Sequence, residues 1–270
     1  LIIGDSVTQG SAGDWSWRYR LWQHLVASGT AVDLVGPRQD LWDNVAGGPG
    51  SPAYADPAFD RDHAARWGAT LAFYPDTDAD IGGLVTTYRP DVVIEMLGAN
   101  DLTFLGHSAG EVAEGLRDLV GTVRAADPDV DVVLGRLPQT WYPRVPELNV
   151  LMGWLAAELD TAASRVTTAD SDVGFTLRED TWDAAHPNAR GEVRIAAAMA
   201  DALAVLGHAP AYPRPPPDVP RGPRAGAVLS VEPEDGAVRL TWDDPPGADH
   251  EVVWVRDLTR GGPWTIAAEP

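Results

Sequence analysis

Asp91-Val92-Val93-Ile94-Glu95-Met96-Leu97 is a short, mostly apolar run with β-branched residues, preceded by Pro90 and followed by Gly98. A run of this length between a proline and a glycine suits a buried strand of a parallel sheet. Similar runs stand at residues 32–36, 130–134 and, more weakly, 166–169, and residues 1–4 read as the tail of another. Between them, residues 15–28, 81–88, 109–126, 147–165 and 189–206 space their apolar side chains at helical intervals. Asp127-Pro128 stops one of these helices and Pro146 stands near the start of the next. This alternation predicts an α/β fold, a three-layer α/β/α sandwich around a parallel sheet of about five strands. Residues 37–62 show no period and are rich in Gly, Pro and Asp. In such folds the ligand crevice lies beyond the carboxyl ends of the strands, so this long segment is placed to wall it.

The chain has 270 residues, with 20 basic against 40 acidic side chains, for a net charge of −20. That balance argues against duplex nucleic acid or an anionic membrane as partner, since both demand a basic footprint. Cysteine is absent, which excludes disulfides, thiolate nucleophiles and zinc–thiolate sites. The longest apolar runs, residues 150–157 and 195–206, fall short of the roughly 18 residues of a membrane span. Leu1 opens inside what reads as a strand, without an initiator Met, so the sequence reads as a trimmed product in which a signal peptide cannot be judged.

From residue 208 to about 226 the chain becomes proline-rich, an extended linker that divides residues 1–207 from residues 227–270. Past the linker, residues 237–242 and 251–255 alternate as strands do, with Glu234-Asp235-Gly236 as a turn. We expect a small β appendage there.

Gly4-Asp5-Ser6 follows directly on Leu1-Ile2-Ile3, which puts a serine at the carboxyl end of the first strand. Serine needs a base within hydrogen-bond reach to act as a nucleophile. Asp183-Ala184-Ala185-His186 offers one: a three-residue spacing on a tight turn lets the carboxylate hold one imidazole nitrogen. The bland alternatives are that Ser6 caps a helix and that Asp183 caps the helix through residue 206. The nucleophile elbow of α/β-hydrolases, G-x-S-x-G, is excluded because Thr8 stands two residues after Ser6. No pair of histidines has metal-ligand spacing with a carboxylate third, so we expect no metal.

In chain order these blocks resemble the SGNH, or GDSL-type, serine hydrolases. Gly4-Asp5-Ser6 is similar to their nucleophile block, Gly98-Ala99-Asn100-Asp101 to their G-x-N-D block, and Asp183-x-x-His186 to the block of acid and base. Asp60-Arg61-Asp62-His63-Ala64-Ala65-Arg66-Trp67-Gly68 resembles the D-R-D-H-E-G-H-x-G segment of the carbohydrate-esterase branch. The resemblance covers about residues 1–207 and implies a flavodoxin-like sheet. It implies a Ser6–His186–Asp183 triad with an oxyanion hole made by the Ser6 N–H, the Gly68 N–H and the Asn100 side chain. Gly82 or Gly83 are alternatives for the glycine block. His63-Ala64-Ala65-Arg66 departs from His-Glu-Gly-His, and Ala184 stands where D-G-x-H has glycine. Residues 238–252 resemble the first half of a fibronectin type III module.

The implied activity is carboxylic ester hydrolysis through an acyl-enzyme, with acetyl groups on a carbohydrate as the leading substrate and no cofactor. Acyl transfer to another acceptor, in a tailoring enzyme of a small-molecule pathway, is the alternative; a non-catalytic binding module is the remoter one. Trp67 and His63 are the expected substrate contacts, Trp67 as a platform for a sugar ring. The fibronectin-like tail and the lack of cysteine lean towards export.

Overall fold

The chain is described from a computed structural model covering residues 1–44, 46–51, 56–71, 80–216, 229–242 and 252–268. In chain order its first elements are β1 (Ile2–Gly4), α1 (Ser6–Gln9), α2 (Ser16–Ala27), β2 (Trp42–Asp43), β3 (Gly48–Pro49) and α3 (Ile81–Tyr88). There follow β4 (Val92–Met96), α4 (Ala99–Thr103), α5 (Ala109–Ala126), β5 (Asp131–Gly135), α6 (Val145–Leu159) and β6 (Val166–Ala169). The chain continues through α7 (Leu177–Asp180), α8 (Ala189–Leu206), β7 (Ser230–Glu234), β8 (Ala237–Thr241), β9 (Val253–Val255) and β10 (Thr265–Ala268).

The central sheet is parallel, in the order β1-β4-β5-β6, with Ile3 opposite Glu95, Ile94 opposite Val133 and Val133 opposite Thr167. Helix α2 packs against α8, while α5 contacts both α3 and α6, so helices flank the sheet. The helices are built as their sequences ask. Ser108 and Glu111 close a capping box at the start of α5, and Val112, Leu116, Val120 and Val123 form its buried stripe. Asn188 caps α8, accepting from the Arg190 and Gly191 N–H groups, and Gly207 ends it in a left-handed turn.

Among the described residues four strands form the sheet rather than about five. Residues 32–36, expected as a strand, make no ladder: the Leu34 N–H donates instead to the Asp60 carboxylate at 2.5 Å. The free edge of β1 is taken by residues 64–66, where the Ala64 N–H reaches Ile2 O at 2.8 Å and the Arg66 N–H reaches Gly4 O at 2.9 Å. A buried cation ties the same region together. The Arg18 guanidinium, with no exposed surface, donates to Thr8 O at 2.8 Å, Gln9 O at 3.0 Å and Arg61 O at 3.1 Å. It pins α1 to the segment that leads to Gly68.

Beyond the main sheet, β7 pairs with β8 and β9 with β10, both antiparallel. The expected strands at 237–242 and 251–255 correspond to β8 and β9; part of the linker (217–226), Pro245-Pro246-Gly247 and His250-Glu251 lie outside the described residues. Among the described residues no helix is long and apolar enough to cross a membrane.

Candidate active site

Strand β1 delivers Ser6 to a narrow cleft that it shares with His186 and Trp182. The cap of α1 is Asp5, not Ser6: its carboxylate accepts from the Val7 N–H at 3.0 Å, and its carbonyl from the Thr8 and Gln9 N–H groups. The cap role being filled by its neighbour, the Ser6 side chain stays part-exposed, and its N–H has no acceptor among the described residues. Gly4 is obligatory, since a Cβ there would lie 2.2 Å from the Thr8 hydroxyl.

His186 sits on a turn organised by Asp183. One carboxylate oxygen accepts the His186 N–H at 2.7 Å and the Ala185 N–H at 3.0 Å; the other meets His186 Nδ1 at 2.6 Å. Partial burial pushes the Asp183 carboxyl up, but the hydrogen bonds from His186 and Ala185 outweigh it and hold it below the usual carboxylate range. Asp183 therefore caps its own turn, and Asn188 caps α8. With Nδ1 committed, Nε2 is the nitrogen left for Ser6. The two side chains border one cleft without a hydrogen bond between them, and catalytic pairs often tighten only when substrate fills the site.

Residues that no sequence motif marked brace this turn. Trp141 Nε1 and the Tyr142 hydroxyl both donate to Ala184 O, at 3.0 and 3.3 Å, and Gln139 Nε2 donates to Ala185 O at 2.9 Å. Ala184 is held at φ +72°, a left-handed backbone that an alanine adopts only under constraint. The imidazole stacks with Trp67, centroids 4.5 Å apart, and with Trp182 at 5.4 Å. Trp67 also stacks on Trp42 at 5.3 Å, and its N–H is fixed by Gln9 Oε1 at 2.6 Å.

The other residues expected to donate to an oxyanion, Gly68 and Asn100, are tied to the segment beside β1. Gly68, at φ +76°, follows the segment bonded to β1, and its N–H has no acceptor among the described residues. Gly82 and Gly83 lie inside α3, and the Gly82 N–H is taken by its capping Asp80. Asn100 is nearly buried; its Nδ2 donates to Ala69 O at 2.9 Å and approaches an Asp5 oxygen at 3.4 Å. Its neighbour Asp101 receives the Leu71 N–H at 3.1 Å on each oxygen and holds the loop instead.

Beneath this turn are two buried acids. Burial pushes the Asp5 carboxyl up to about 7 and the Glu95 carboxyl up to about 8, so both carry protons over much of the neutral range. His63 has no exposed surface: Nε2 meets Asp40 O at 2.9 Å, and Nδ1 accepts the Ala65 N–H at 3.1 Å. Burial, aided by Arg18, holds it well below the usual histidine range, so it braces the segment behind the cleft rather than facing into it. Among the described residues no group of three His, Asp or Glu is placed to hold a metal ion.

A family profile described as the GDSL-like Lipase/Acylhydrolase family matches residues 2–194. The chain is similar to a carbohydrate esterase family 3 protein from Talaromyces cellulolyticus, with 28% identity and a TM-score of 0.63, over 76% of this chain and 96% of that one. A serine-to-alanine mutant of an acetyl esterase with an acetate ion aligns over the same shares, at 27% identity and a TM-score of 0.64. So does a family 3 carbohydrate esterase from Clostridium thermocellum, at 25% and 0.61. No curated protein matches the chain.

Proposed function

The chain belongs to the GDSL-like lipase/acylhydrolase family and is a serine esterase, and on that premise we propose that it removes acetyl groups from an O-acetylated carbohydrate through an acyl-enzyme on Ser6. The observation that carries the mechanism is the Asp183 carboxylate on His186 Nδ1 at 2.6 Å, with Ser6 on the same cleft. His186 Nε2 takes the Ser6 proton as Oγ attacks the ester carbonyl, and Asp183 stabilises the imidazolium that forms. The tetrahedral oxyanion is met by the Ser6 and Gly68 N–H groups and by Asn100 Nδ2. The protonated imidazole then passes its proton to the departing sugar hydroxyl.

Kinship with an acetyl esterase and two family 3 carbohydrate esterases supports the acetyl and sugar assignments. Trp67 and the more exposed Trp182 present indole surface beside His186, and we assign them to the sugar ring. The C-terminal strand pairs are read as an appended, fibronectin-like β segment behind the proline-rich linker. The deciding experiment is acetate release from acetylated polysaccharide, together with p-nitrophenyl esters from C2 to C8, for wild type and Ser6→Ala. We expect turnover to peak at acetyl and vanish in Ser6→Ala. A maximum at C8, or activity surviving in Ser6→Ala, would sink the reading. Trp67→Ala should weaken a sugar acetate more than a small aryl acetate; equal losses would remove the stacking role.

A further inference from the structure

The cleft of Ser6 and His186 is completed by Ser11, Asp14, Ser16, Glu192 and Trp182, which form a polar recess beside them. Its lining is polar beyond what a small apolar acyl group would call for. Ser16 is 2% exposed, and its hydroxyl has no hydrogen-bond partner among the described residues. Buried hydroxyls are rarely left unanswered in folded proteins, and a water in a polar recess with two to four partners is the usual answer. Asp14, also buried, brings a carboxylate to the same recess, and Ser11 a second hydroxyl. Glu192 is occupied by the Arg20 guanidinium at 3.6 Å. Ser16 is moreover held at φ +62°, a conformation serine seldom takes, and packs against Gly10, where an added Cβ would sit 3.0 Å from Ser16 Cβ.

We propose that this recess seats the water that deacylates the enzyme, with Ser16 as its positioning residue. The inference rests on the esterase reading above. When the sugar alcohol has left, the stored water gives its proton to His186 Nε2 as its oxygen bonds the acyl carbon. The bond from that carbon to Ser6 Oγ then breaks, Ser6 recovers the proton from His186, and the free acid departs.

The test follows acyl-enzyme formation and breakdown separately. Wild type, Ser16→Ala and Ser16→Gly are mixed with p-nitrophenyl acetate, with and without glycerol as acceptor, and acetyl-Ser6 is followed by quenched mass spectrometry. Ser16→Gly relieves the φ of that residue, so between the two variants a folding defect and a lost hydroxyl separate; thermal melts check each. In both variants we expect acylation at the wild-type rate, deacylation slower by about tenfold, the scale of one hydrogen bond, and a matching rise in acetyl glycerol. Folded variants that acylate, deacylate and partition as wild type does would overturn the role of Ser16. Absence of acetyl-Ser6 in every form, wild type included, would overturn the esterase mechanism itself, and this inference with it.

Discussion

Asp183→Asn changes one atom and should remove almost all activity, for a reason the geometry makes specific. One Asp183 oxygen accepts two backbone N–H groups, from His186 at 2.7 Å and Ala185 at 3.0 Å, while the other accepts His186 Nδ1 at 2.6 Å. An asparagine keeps only one acceptor. Setting its NH2 against the two backbone donors would forfeit two hydrogen bonds, about 2–3 kcal/mol, and add repulsion. The amide oxygen therefore stays with the backbone, and the NH2 turns to Nδ1. To accept from it, the imidazole must move its own proton to Nε2, the nitrogen that has to receive the proton of Ser6. The turn survives in the wrong tautomer. The loss for such a change is about 10⁴ in kcat, or roughly 5–6 kcal/mol of transition-state stabilisation. The assay is kcat and KM on p-nitrophenyl acetate, with Tm measured beside them; KM and Tm should hardly move. A folded Asp183→Asn enzyme within tenfold of wild type would refute the assignment of Asp183 and of the proton path.

Asn100→Ala should cost about 10²–10³ in kcat with folding retained, and wild-type turnover would take Asn100 out of the oxyanion hole. Arg18→Leu leaves the Thr8, Gln9 and Arg61 carbonyls without their donor, and at about 1–3 kcal/mol for each unsatisfied group it should lower Tm sharply in a denaturation series. An unchanged midpoint would mean that water replaces the guanidinium there. Ala184→Gly frees a residue at φ +72°, so strain relief of about 1–2 kcal/mol should match or exceed the glycine's entropic cost of about 0.5–1 kcal/mol; a fall in Tm would count against strain at that turn. Glu95 is raised from 4.5 to about 8 and Asp5 from 3.8 to about 7 by burial, so the stability they confer as neutral acids is complete below pH 4 and drains away as pH rises through 7 and 8. Tm should accordingly fall between pH 5 and 9 in wild type and fall less in Glu95→Gln, whose side chain has no proton to lose; parallel curves would show Glu95 to be uninvolved.

Local patterning explains why much of this molecule could be read from residue order. Helix α5 carries its capping box and buried stripe within one stretch of sequence, and Asp183 reaches His186 across a single turn. The contacts that stayed hidden join residues far apart in the chain. Nothing local tells that Gln139, Trp141 and Tyr142 will hold the carbonyls of Ala184 and Ala185, more than forty positions on. Trp182 reads as one tryptophan among eleven until its ring is found on His186. His63 was placed at the cleft by its motif, whereas the side chain turns inward because Asp40 O and the Ala65 N–H answer both ring nitrogens.

The missing fifth strand follows from the same distinction, and it bears on the chemistry. Residues 32–36 have the apolar, β-branched composition of a strand, yet composition cannot say which segment wins the edge of β1. The edge goes to residues 64–66, whose N–H groups meet Ile2 O and Gly4 O. That choice draws the following residues to the end of β1, where Gln9 fixes the Trp67 N–H and Asn100 takes Ala69 O. Gly68 stands between these two anchored neighbours with its own N–H unspent. Had residues 32–36 held the edge, the loop carrying Gly68 would have lost its backbone tie to the strand that presents Ser6. The irregular edge therefore ties the segment carrying Gly68 to the strand that ends at Ser6, and on the proposed mechanism weakening it should reduce turnover before it unfolds the sheet. An Arg66→Pro enzyme, which loses the N–H given to Gly4 O, should lose kcat on p-nitrophenyl acetate at temperatures well below its Tm. Loss of activity only in step with unfolding would reduce residues 64–66 to a structural edge.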